Sequence, residues 1–337
     1  MPFGHGEQLR TAYARAEQSG YAFTANNIAE PNVLLGLLAA YEEARSDLVL
    51  QISTGAAKFA GGGDPLRGLR ALCRTVHELA ARSPIAVFVN LDHFTVNDMD
   101  LIHEAIRDRL VSSLMIDASA LPFDENVRAS REAVELARGS GILVEAELGK
   151  IKGVEDEIAS DEAFYTDPAE AVEFVRESGS DLLAVSVGTQ HGVSKGREIS
   201  LRTDLVHAIR ERLDAAGLEA PLVLHGSSGL LPEQVHEVIR LGVRKLNKDT
   251  HYQYVFGRAA CEYYLEHAAS IIPPDDVEDD VLNLFAQSDW SPEKKSFDPR
   301  AAGRIIQKQV ARIARQLLDQ VGSAGHSIVE GQEGMDA

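Results

Sequence analysis

The chain of 337 residues has only two cysteines, which argues against a fold stabilised by disulfide bonds. Cys73 and Cys261 are far apart and form no C-x-x-C pair, so they predict no cysteine metal site either. No apolar run approaches the roughly 18 residues of a membrane-spanning helix, and the first residues lack the basic and apolar regions of a signal peptide. We therefore expect a cytoplasmic protein.

Basic residues are also scarce relative to acidic ones. The chain has 33 Lys and Arg against 52 Asp and Glu, a formal net charge of −19. Nucleic acids and anionic membranes would repel such a chain, so we expect neither as a partner. To bind an anionic substrate, the protein would need a metal ion, helix N-termini or a few local basic side chains that offset the repulsion from its net negative charge.

Apolar, strand-like runs alternate with amphipathic helical segments along most of the chain, a pattern typical of a parallel sheet built from βα units. The predicted strands are Ala22–Ile28, Leu48–Ile52, Ile85–Leu91, Ser113–Asp117, Leu143–Leu148, Leu182–Val187, Leu222–His225 and Val243–Asn247. Eight such units favour closure, because closure removes the exposed edge strands. The sequence therefore predicts an α/β fold, a single (β/α)8 TIM barrel with a C-terminal helical extension over residues 1–321. A last helix covers about Gly303–Val321, and residues 322–337 are expected to be a disordered tail.

Polar side chains stand at the end of nearly every predicted strand, on the rim where barrel enzymes carry their chemistry. They are Asn27, Ser53, Asp92 with His93, Asp117 with Ser119, Glu145 with Glu147, His191, His225, and Asn247 with Asp249. Three are histidines that follow the third, sixth and seventh strands. Three histidines leave the fourth position of a tetrahedral zinc open for water or substrate. A lone buried histidine is more often a packing residue, but the shared register favours a joint metal site.

Two carboxylates are candidates for acid and base work beside such a metal. Asp92 precedes His93 and either exchanges a substrate proton or orients that histidine. Glu155 lies in the long polar segment Lys150–Asp167, which has the length of a mobile lid. It is either a base on that lid or a solvated surface charge.

Small residues after the seventh and eighth strands favour phosphate binding. The apolar run that begins at Pro221 ends on His225 and continues as Gly226-Ser227-Ser228-Gly229, ahead of a helix near Pro232. Backbone amides in such a turn can approach an anion closely. Asn247-Lys248-Asp249-Thr250 follows the eighth strand, and the loops after these two strands often bind phosphate in this fold. Ordinary turn chemistry and helix capping are the alternative explanation.

Six motifs together carry a resemblance to a known family. They are Leu91-Asp92-His93, residues 115–119 (MIDAS), residues 144–149 (VEAELG) with 153–156 (GVED), residues 188–192 (GTQHG), residues 224–229 (LHGSSG) and residues 245–250 (KLNKDT). In this order and on these strands, they resemble the class II, metal-dependent fructose-bisphosphate aldolases from Tyr21 to Arg300.

The resemblance implies a catalytic zinc, or another divalent metal, bound by His93, His191 and His225, with Glu147 as an alternative or additional metal partner. It implies that Asp92 exchanges the proton of the substrate C4 hydroxyl and that Glu155 moves the proton on the carbon of a metal-stabilised enediolate. A monovalent cation, K⁺ or Na⁺, is implied near Asp117.

The same resemblance implies a set of substrate contacts and a homodimer or larger homo-oligomer. The contacts are Asn27, Ser53, Gly192, Gly226, Ser228, Asn247, Asp249, Thr250 and Arg300, the last reaching in from a neighbouring subunit. The implied reaction is reversible cleavage of fructose 1,6-bisphosphate to dihydroxyacetone phosphate and glyceraldehyde 3-phosphate.

Other functions stay open at this point. The closest is an aldolase for tagatose bisphosphate, and a non-catalytic phosphosugar-binding homologue is a further alternative. A Schiff-base aldolase would need a lysine at the strand ends, where Lys245 and Lys248 are the nearest. A zinc hydrolase would usually have an H-x-H pair on the first strand, which Tyr21–Ala29 lacks. Five positions depart from the family pattern and bear on lid motion and substrate preference: Asn90, Phe94, Lys152, Ser227 and Lys248.

Overall fold

A computed structural model describes residues 4–151, 153–155, 158–160, 164–193, 199–277 and 290–329. Ten strands occur in these residues: β1 (Phe23–Asn27), β2 (Leu48–Ser53), β3 (Val87–Phe94), β4 (Ser113–Ile116), β5 (Leu143–Leu148), β6 (Gly153–Glu155), β7 (Ile158–Ser160), β8 (Leu182–Val185), β9 (Leu222–Leu224) and β10 (Val243–Lys248). All except β6 and β7 form a closed barrel in the order β1-β10-β9-β8-β5-β4-β3-β2. Every neighbouring pair in it is parallel, so the predicted eight-stranded barrel is confirmed.

Twelve α-helices occur in the same residues. They are α1 (Gly6–Ser19), α2 (Pro31–Ala44), α3 (Thr54–Ala60), α4 (Pro65–Ala80), α5 (Met99–Arg107), α6 (Phe123–Ala137), α7 (Pro168–Ser178), α8 (Thr203–Ala215), α9 (Pro232–Arg240), α10 (Thr250–Glu266), α11 (Lys294–Phe297) and α12 (Pro299–Val321). The last helix, α12, packs against α2 and α10 on the outside of the barrel. No helix in the described part of the chain is long and apolar enough to cross a membrane.

Alternate residues of each strand face opposite sides, which divides the core into two clusters. The larger cluster lies between the strands and the surrounding helices and includes Leu50, Leu91 and Val185. The smaller one fills the lower interior of the barrel with side chains such as Phe23, Phe88 and Met115. Above this apolar floor the interior positions become polar, and these polar positions form the site.

Helix α1, which the alternating pattern did not predict, contributes to the same interior cluster. Leu9, Ala12, Tyr13 and Ala16 are buried there, at the i, i+3, i+4 and i+7 spacing of one helix face. Helix α1 thereby covers the apolar interior at the end of the barrel opposite the polar rim.

Two other segments differ from expectation. The predicted lid, Lys150–Asp167, contains the antiparallel pair β6 and β7, and an isolated bridge joins Lys150 to Phe164 at its base. The chain after Gly322, expected to be disordered, packs against the barrel through residue 329. Asp47 accepts hydrogen bonds from the Ser327 hydroxyl (2.6 Å) and the Ile328 amide (2.9 Å), which is why this stretch is ordered. Residues 330–337 lie outside the described residues.

Candidate active site

Two predicted metal ligands converge at the upper end of the barrel interior. His93 lies near the end of β3 and His225 directly follows β9. The Nε2 of His93 and the Nδ1 of His225 are 2.9 Å apart, and both rings are buried. His93 has a φ of 51°, a left-handed conformation that costs about 1–2 kcal/mol in a non-glycine residue. Such strain is typical of functional sites, where the surrounding structure holds it in place.

A carboxylate fixes the orientation of each of these imidazoles. The Nδ1–H of His93 donates to Asp117 Oδ2 (3.0 Å), and the Nε2–H of His225 donates to Glu145 Oε1 (2.8 Å). Because an ionised carboxylate only accepts, these contacts place the ring proton on the nitrogen that faces it. The opposite nitrogens, which face one another, therefore carry the lone pairs that a metal needs.

His191, the third predicted ligand, lies beside this pair. Its ring centroid is 5.4 Å from that of His93 and 6.4 Å from that of His225, and the His93 and His225 centroids are 4.6 Å apart. Nitrogen ligands about 2.0–2.1 Å from a tetrahedral zinc would place the ring centroids roughly 5.2 Å apart and the ligand nitrogens roughly 3.3 Å apart. The His93–His191 and His93–His225 centroid distances are near this value, whereas the His191–His225 distance is larger. His191 belongs to neither of the two groups of described residues whose ligand atoms lie within 4.8 Å of one another, so its ring lies beside the pair and its part in metal binding stays a prediction.

Carboxylates complete two groups of possible ligands in the described residues. Asp92, His93 and His225 form one, and His93, Asp117 and Glu147 form the other, with all ligand atoms of a group within 4.8 Å of one another. Glu147 is buried on β5. Glu147 therefore lies within reach of His93, and its role as an alternative metal partner stays a prediction.

Three side-chain amides surround Asp92. Asn27 donates to its Oδ2 (2.8 Å), while Gln51 (2.6 Å) and Asn247 (3.1 Å) donate to its Oδ1. We call Asn27, Gln51 and Asn247 the amide collar. Within the described structure the side-chain oxygen of each has no hydrogen-bond partner. The amide collar thus fixes the Asp92 carboxylate and leaves three acceptors next to it.

A buried ion pair lies beneath His225. Lys245 Nζ contacts Glu145 Oε2 at 2.6 Å, and both side chains are 1% exposed. Burial alone would raise the pKa of Glu145, but the charge of Lys245 and the hydrogen bond from His225 outweigh it and lower that pKa to about 2. The carboxylate is therefore ionised at neutral pH and available to orient the imidazole.

Burial and neighbouring charges also fix the protonation of the other groups. Burial, followed by the nearby His93, lowers the pKa of His225, which keeps its ring neutral as metal binding requires. Burial alone would raise the pKa of Asp117. The hydrogen bond and charge of His93, with the hydroxyl and amide of Ser119, instead hold that pKa well below its usual range.

The predicted phosphate loops lie side by side above β9 and β10. Gly226 has a φ of 61°, and a Cβ there would lie 2.7 Å from the backbone carbonyl carbon of Gln190, so this position requires glycine. Ser227–Gly229 form one 3₁₀ turn, in which Ser228 is partly exposed. Thr250 begins α10, whose free N-terminal amides favour anions.

A cavity of about 350 Å³ lies on the side of β1, β2 and β10, and Asn27, which donates to Asp92, is one of its lining residues. Asp92 and the three histidines do not line it. Asn27, Ser53 and Asp249 line it together with Tyr252 and Phe256. The Ser53 hydroxyl accepts a hydrogen bond from Ala56 N (3.1 Å) at the start of α3. The volume of the cavity lies in the range of small-molecule binding sites.

The structure does not bring every predicted residue to the centre. Arg300 is 79% exposed and pairs with Asp298, and no described contact within one chain joins it to the histidines. The N-terminal part of α12 contacts the start of α2, as Gln307 donates to Asn32 (2.9 Å), so Arg300 lies at the same end of the barrel as the site. Gly192 follows His191 with a φ of 78°. The backbone of Glu155 belongs to β6, but its side chain lies outside the described residues, as does Lys152.

Gln51 was absent from the predicted site, and neither the pairing of Glu145 with His225 nor that of Glu145 with Lys245 was predicted. Gln51 and Glu145 are buried polar residues on largely apolar strands, and Lys245 is a buried lysine on β10. That contrast is a usable signal, because a charged side chain is buried in a barrel only when it has a partner. The sequence alone does not say which two interior residues meet.

Comparisons with known proteins agree with this geometry. A family model described as fructose-bisphosphate aldolase class-II matches residues 7–326. The fructose-bisphosphate aldolase of Thermus caldophilus is 36% identical over 93% of this chain and 96% of its own length. The aldolase of Mycobacterium leprae is 30% identical over 97% of this chain and 99% of its own.

Solved structures show the same fold. The fructose-bisphosphate aldolase of Campylobacter jejuni aligns with a TM-score of 0.80 at 24% identity, covering 96% of both chains. The YdjI aldolase of Escherichia coli K12 aligns with a TM-score of 0.71 at 28% identity, covering 97% of this chain and 100% of that one. With a family match along nearly the whole chain and two histidines oriented by carboxylates at the end of its barrel, this protein belongs to the class II fructose-bisphosphate aldolases.

Proposed function

We propose that this chain is a zinc-dependent aldolase that reversibly cleaves fructose 1,6-bisphosphate to dihydroxyacetone phosphate and glyceraldehyde 3-phosphate. The observation that carries the proposal is the pair of facing nitrogens, His93 Nε2 and His225 Nδ1, with the Asp92 carboxylate in the same group of ligand atoms. The named relatives and the family membership support the same reaction.

His93, His191 and His225 would hold the metal, with Glu147 as an alternative partner. A divalent ion at that position polarises the ketose carbonyl and so acidifies the neighbouring C–H. Zinc suits three neutral imidazoles, although other divalent ions bind imidazole as well.

Asp92 would take the proton of the C4 hydroxyl during cleavage and return it during condensation. The amide collar orients its carboxylate for that transfer. The free oxygens of Asn27 and Asn247 would accept hydrogen bonds from substrate hydroxyls. In this proposal Glu155, carried by the β6–β7 hairpin, moves the proton on the carbon.

Phosphate binding is divided between the two ends of the substrate. Gly192, Gly226, Ser228, Asp249 and Thr250 would surround the phosphate of the dihydroxyacetone half. At the other end, Ser53 and an Arg300 from a second copy of the chain would bind the remaining phosphate. The second part requires a homodimer or larger homo-oligomer, and the exposed guanidinium of Arg300 is consistent with it.

A monovalent cation near Asp117 is a further part of the proposal. Asp117 was the residue expected beside K⁺ or Na⁺. The observed contacts of Asp117 are to His93 and Ser119, which favours the orientation of a metal ligand as its main role.

A Schiff-base mechanism has little support in this geometry. Lys245 forms a buried ion pair with Glu145, and the Nζ of Lys248 is buried and donates to the Ser227 carbonyl. Neither amine is positioned to attack a substrate carbonyl in the cavity.

Parallel cleavage assays with fructose and tagatose 1,6-bisphosphates test the proposal. We expect faster cleavage of the fructose compound, loss of activity after chelation and recovery with added zinc. Asp92→Asn should lower turnover by about 10²–10⁴-fold while retaining bound metal. Faster cleavage of the tagatose compound would transfer the assignment to that sugar. Metal and ligand binding without turnover of either would indicate a phosphosugar-binding protein instead.

A further inference from the structure

Two side-chain hydrogen bonds join the turn after β9 to the end of β10, and each of the two segments donates one of them. The Ser227 hydroxyl donates to the Asn247 carbonyl (2.8 Å), and Lys248 Nζ donates to the Ser227 carbonyl (2.6 Å). Ser227 is 0% exposed and Lys248 is 2% exposed. These bonds connect the turn of residues 226–229 to the segment that leads into α10.

Burying a lysine at position 248, at the end of β10, costs folding free energy. The hydrogen-bond partner that the structure gives its ammonium is a neutral carbonyl, and burial lowers its pKa to about 7. Burial, followed by the charge of Lys248, lowers the pKa of His251 in the first turn of α10. Residues that cost stability where an apolar side chain would fit are expected mainly at functional sites.

The bond to Ser227 has a directional consequence. In a trans peptide the C=O of one residue and the N–H of the next point in opposite directions. Lys248, helped by a weaker bond from Leu230 N (3.3 Å), holds the Ser227 carbonyl on the β10 side of the turn. The N–H of Ser228 must therefore face away from Lys248.

We propose that Lys248 is a positioning residue for phosphate binding, which holds the Ser227–Ser228 peptide so that the Ser228 amide faces the phosphate of the ketose substrate. The inference rests on the proposed function, because it assumes that this turn and the start of α10 bind that phosphate. Lys248 acts on the backbone and does not touch the substrate.

The test uses the zinc-loaded enzyme and dihydroxyacetone phosphate as the probe, with binding measured by titration calorimetry. Lys248→Met keeps the length of the side chain but removes the donor. Loss of a hydrogen bond from a charged donor changes an equilibrium constant by about tenfold or more. We therefore expect the Kd for dihydroxyacetone phosphate to rise about tenfold. Ser227→Ala, which removes the opposite link, should raise it by a smaller factor. Lys308→Met, an exposed lysine of α12, is the matched control.

Three further readouts separate positioning from general damage. The KM for fructose 1,6-bisphosphate should rise more than kcat falls, and the zinc affinity of Lys248→Met should equal that of the parent enzyme. A Kd for dihydroxyacetone phosphate unchanged in both variants would overturn the inference, as would a fall in kcat with KM unchanged. If the parent enzyme itself does not bind dihydroxyacetone phosphate, the proposed function fails and the inference fails with it.

Discussion

Glu145 should control metal affinity through His225 without being a ligand. Its carboxylate lies between the His225 Nε2–H (2.8 Å) and the Lys245 ammonium (2.6 Å), inside the barrel. Glu145→Gln preserves the shape but removes the charge that orients the imidazole. Loss of such a partner typically lowers metal affinity 10–100-fold, about 1.4–2.8 kcal/mol.

The same substitution leaves Lys245 as an unpaired buried charge, which by itself costs about 3–5 kcal/mol of folding stability. Lys245→Met in the Glu145→Gln background removes that charge and separates the two effects. We expect the double variant to recover much of the lost unfolding free energy but not the lost metal affinity. Urea denaturation measures the first quantity, and competition with a chromophoric chelator measures the second.

Two results would refute this reasoning. One is a Glu145→Gln enzyme that binds zinc as tightly as the parent. The other is a double variant in which metal affinity recovers together with stability, since the effect on metal would then be a consequence of unfolding alone.

Three other perturbations test separate parts of the structure. Gly226→Ala should lower the unfolding free energy by roughly 1–3 kcal/mol and weaken metal binding, because the added Cβ would meet the backbone of Gln190 next to His191. A variant with the unfolding free energy and metal affinity of the parent would contradict this geometry. Burial lowers the pKa of Lys248 to about 7, whereas an unfolded lysine titrates near pH 10.4, so the unfolded state binds more protons between these values and stability rises with pH there. Lys248→Met should remove up to about 1.4 kcal/mol per pH unit from that slope in urea denaturation, and equal slopes would show that the amine is not desolvated. Ending the chain after Val321 should cost roughly 2–4 kcal/mol, because Asp47 loses two donors, whereas ending it after Val329 should cost little; equal stabilities would show that the packed segment contributes nothing.

The barrel was predictable because each βα unit carries its own local signal. An apolar run followed by an amphipathic helix marks a buried parallel strand wherever it occurs, and the predicted strand Leu143–Leu148 matches β5 in full. Helix α1 was missed because it precedes the first strand and buries only one narrow face. The ordered segment after Gly322 was missed because its contacts are made with Asp47, far away in the sequence.

The part of the site that lies at the ends of the strands was predictable from the sequence. His93 lies near the end of β3 and His225 directly follows β9, so their proximity follows from the geometry of a closed parallel barrel. The partners of His225 could not be predicted this way. Glu145 and Lys245 lie within strands on different sides of the barrel, and only the strand register brings them within 2.6 Å. The proposed effect of Lys248 on the Ser227–Ser228 peptide could not be predicted from the sequence either, because it depends on the direction of that one peptide group.

Anomalous diffraction at the zinc absorption edge, from crystals of the metal-loaded protein, tests the central assignment most directly. We expect one strong peak between the barrel histidines, about 2.0–2.1 Å from His93 Nε2 and His225 Nδ1, with His191 as the third ligand. A peak bound through His93 Nδ1 or His225 Nε2, or located away from these rings, would contradict it.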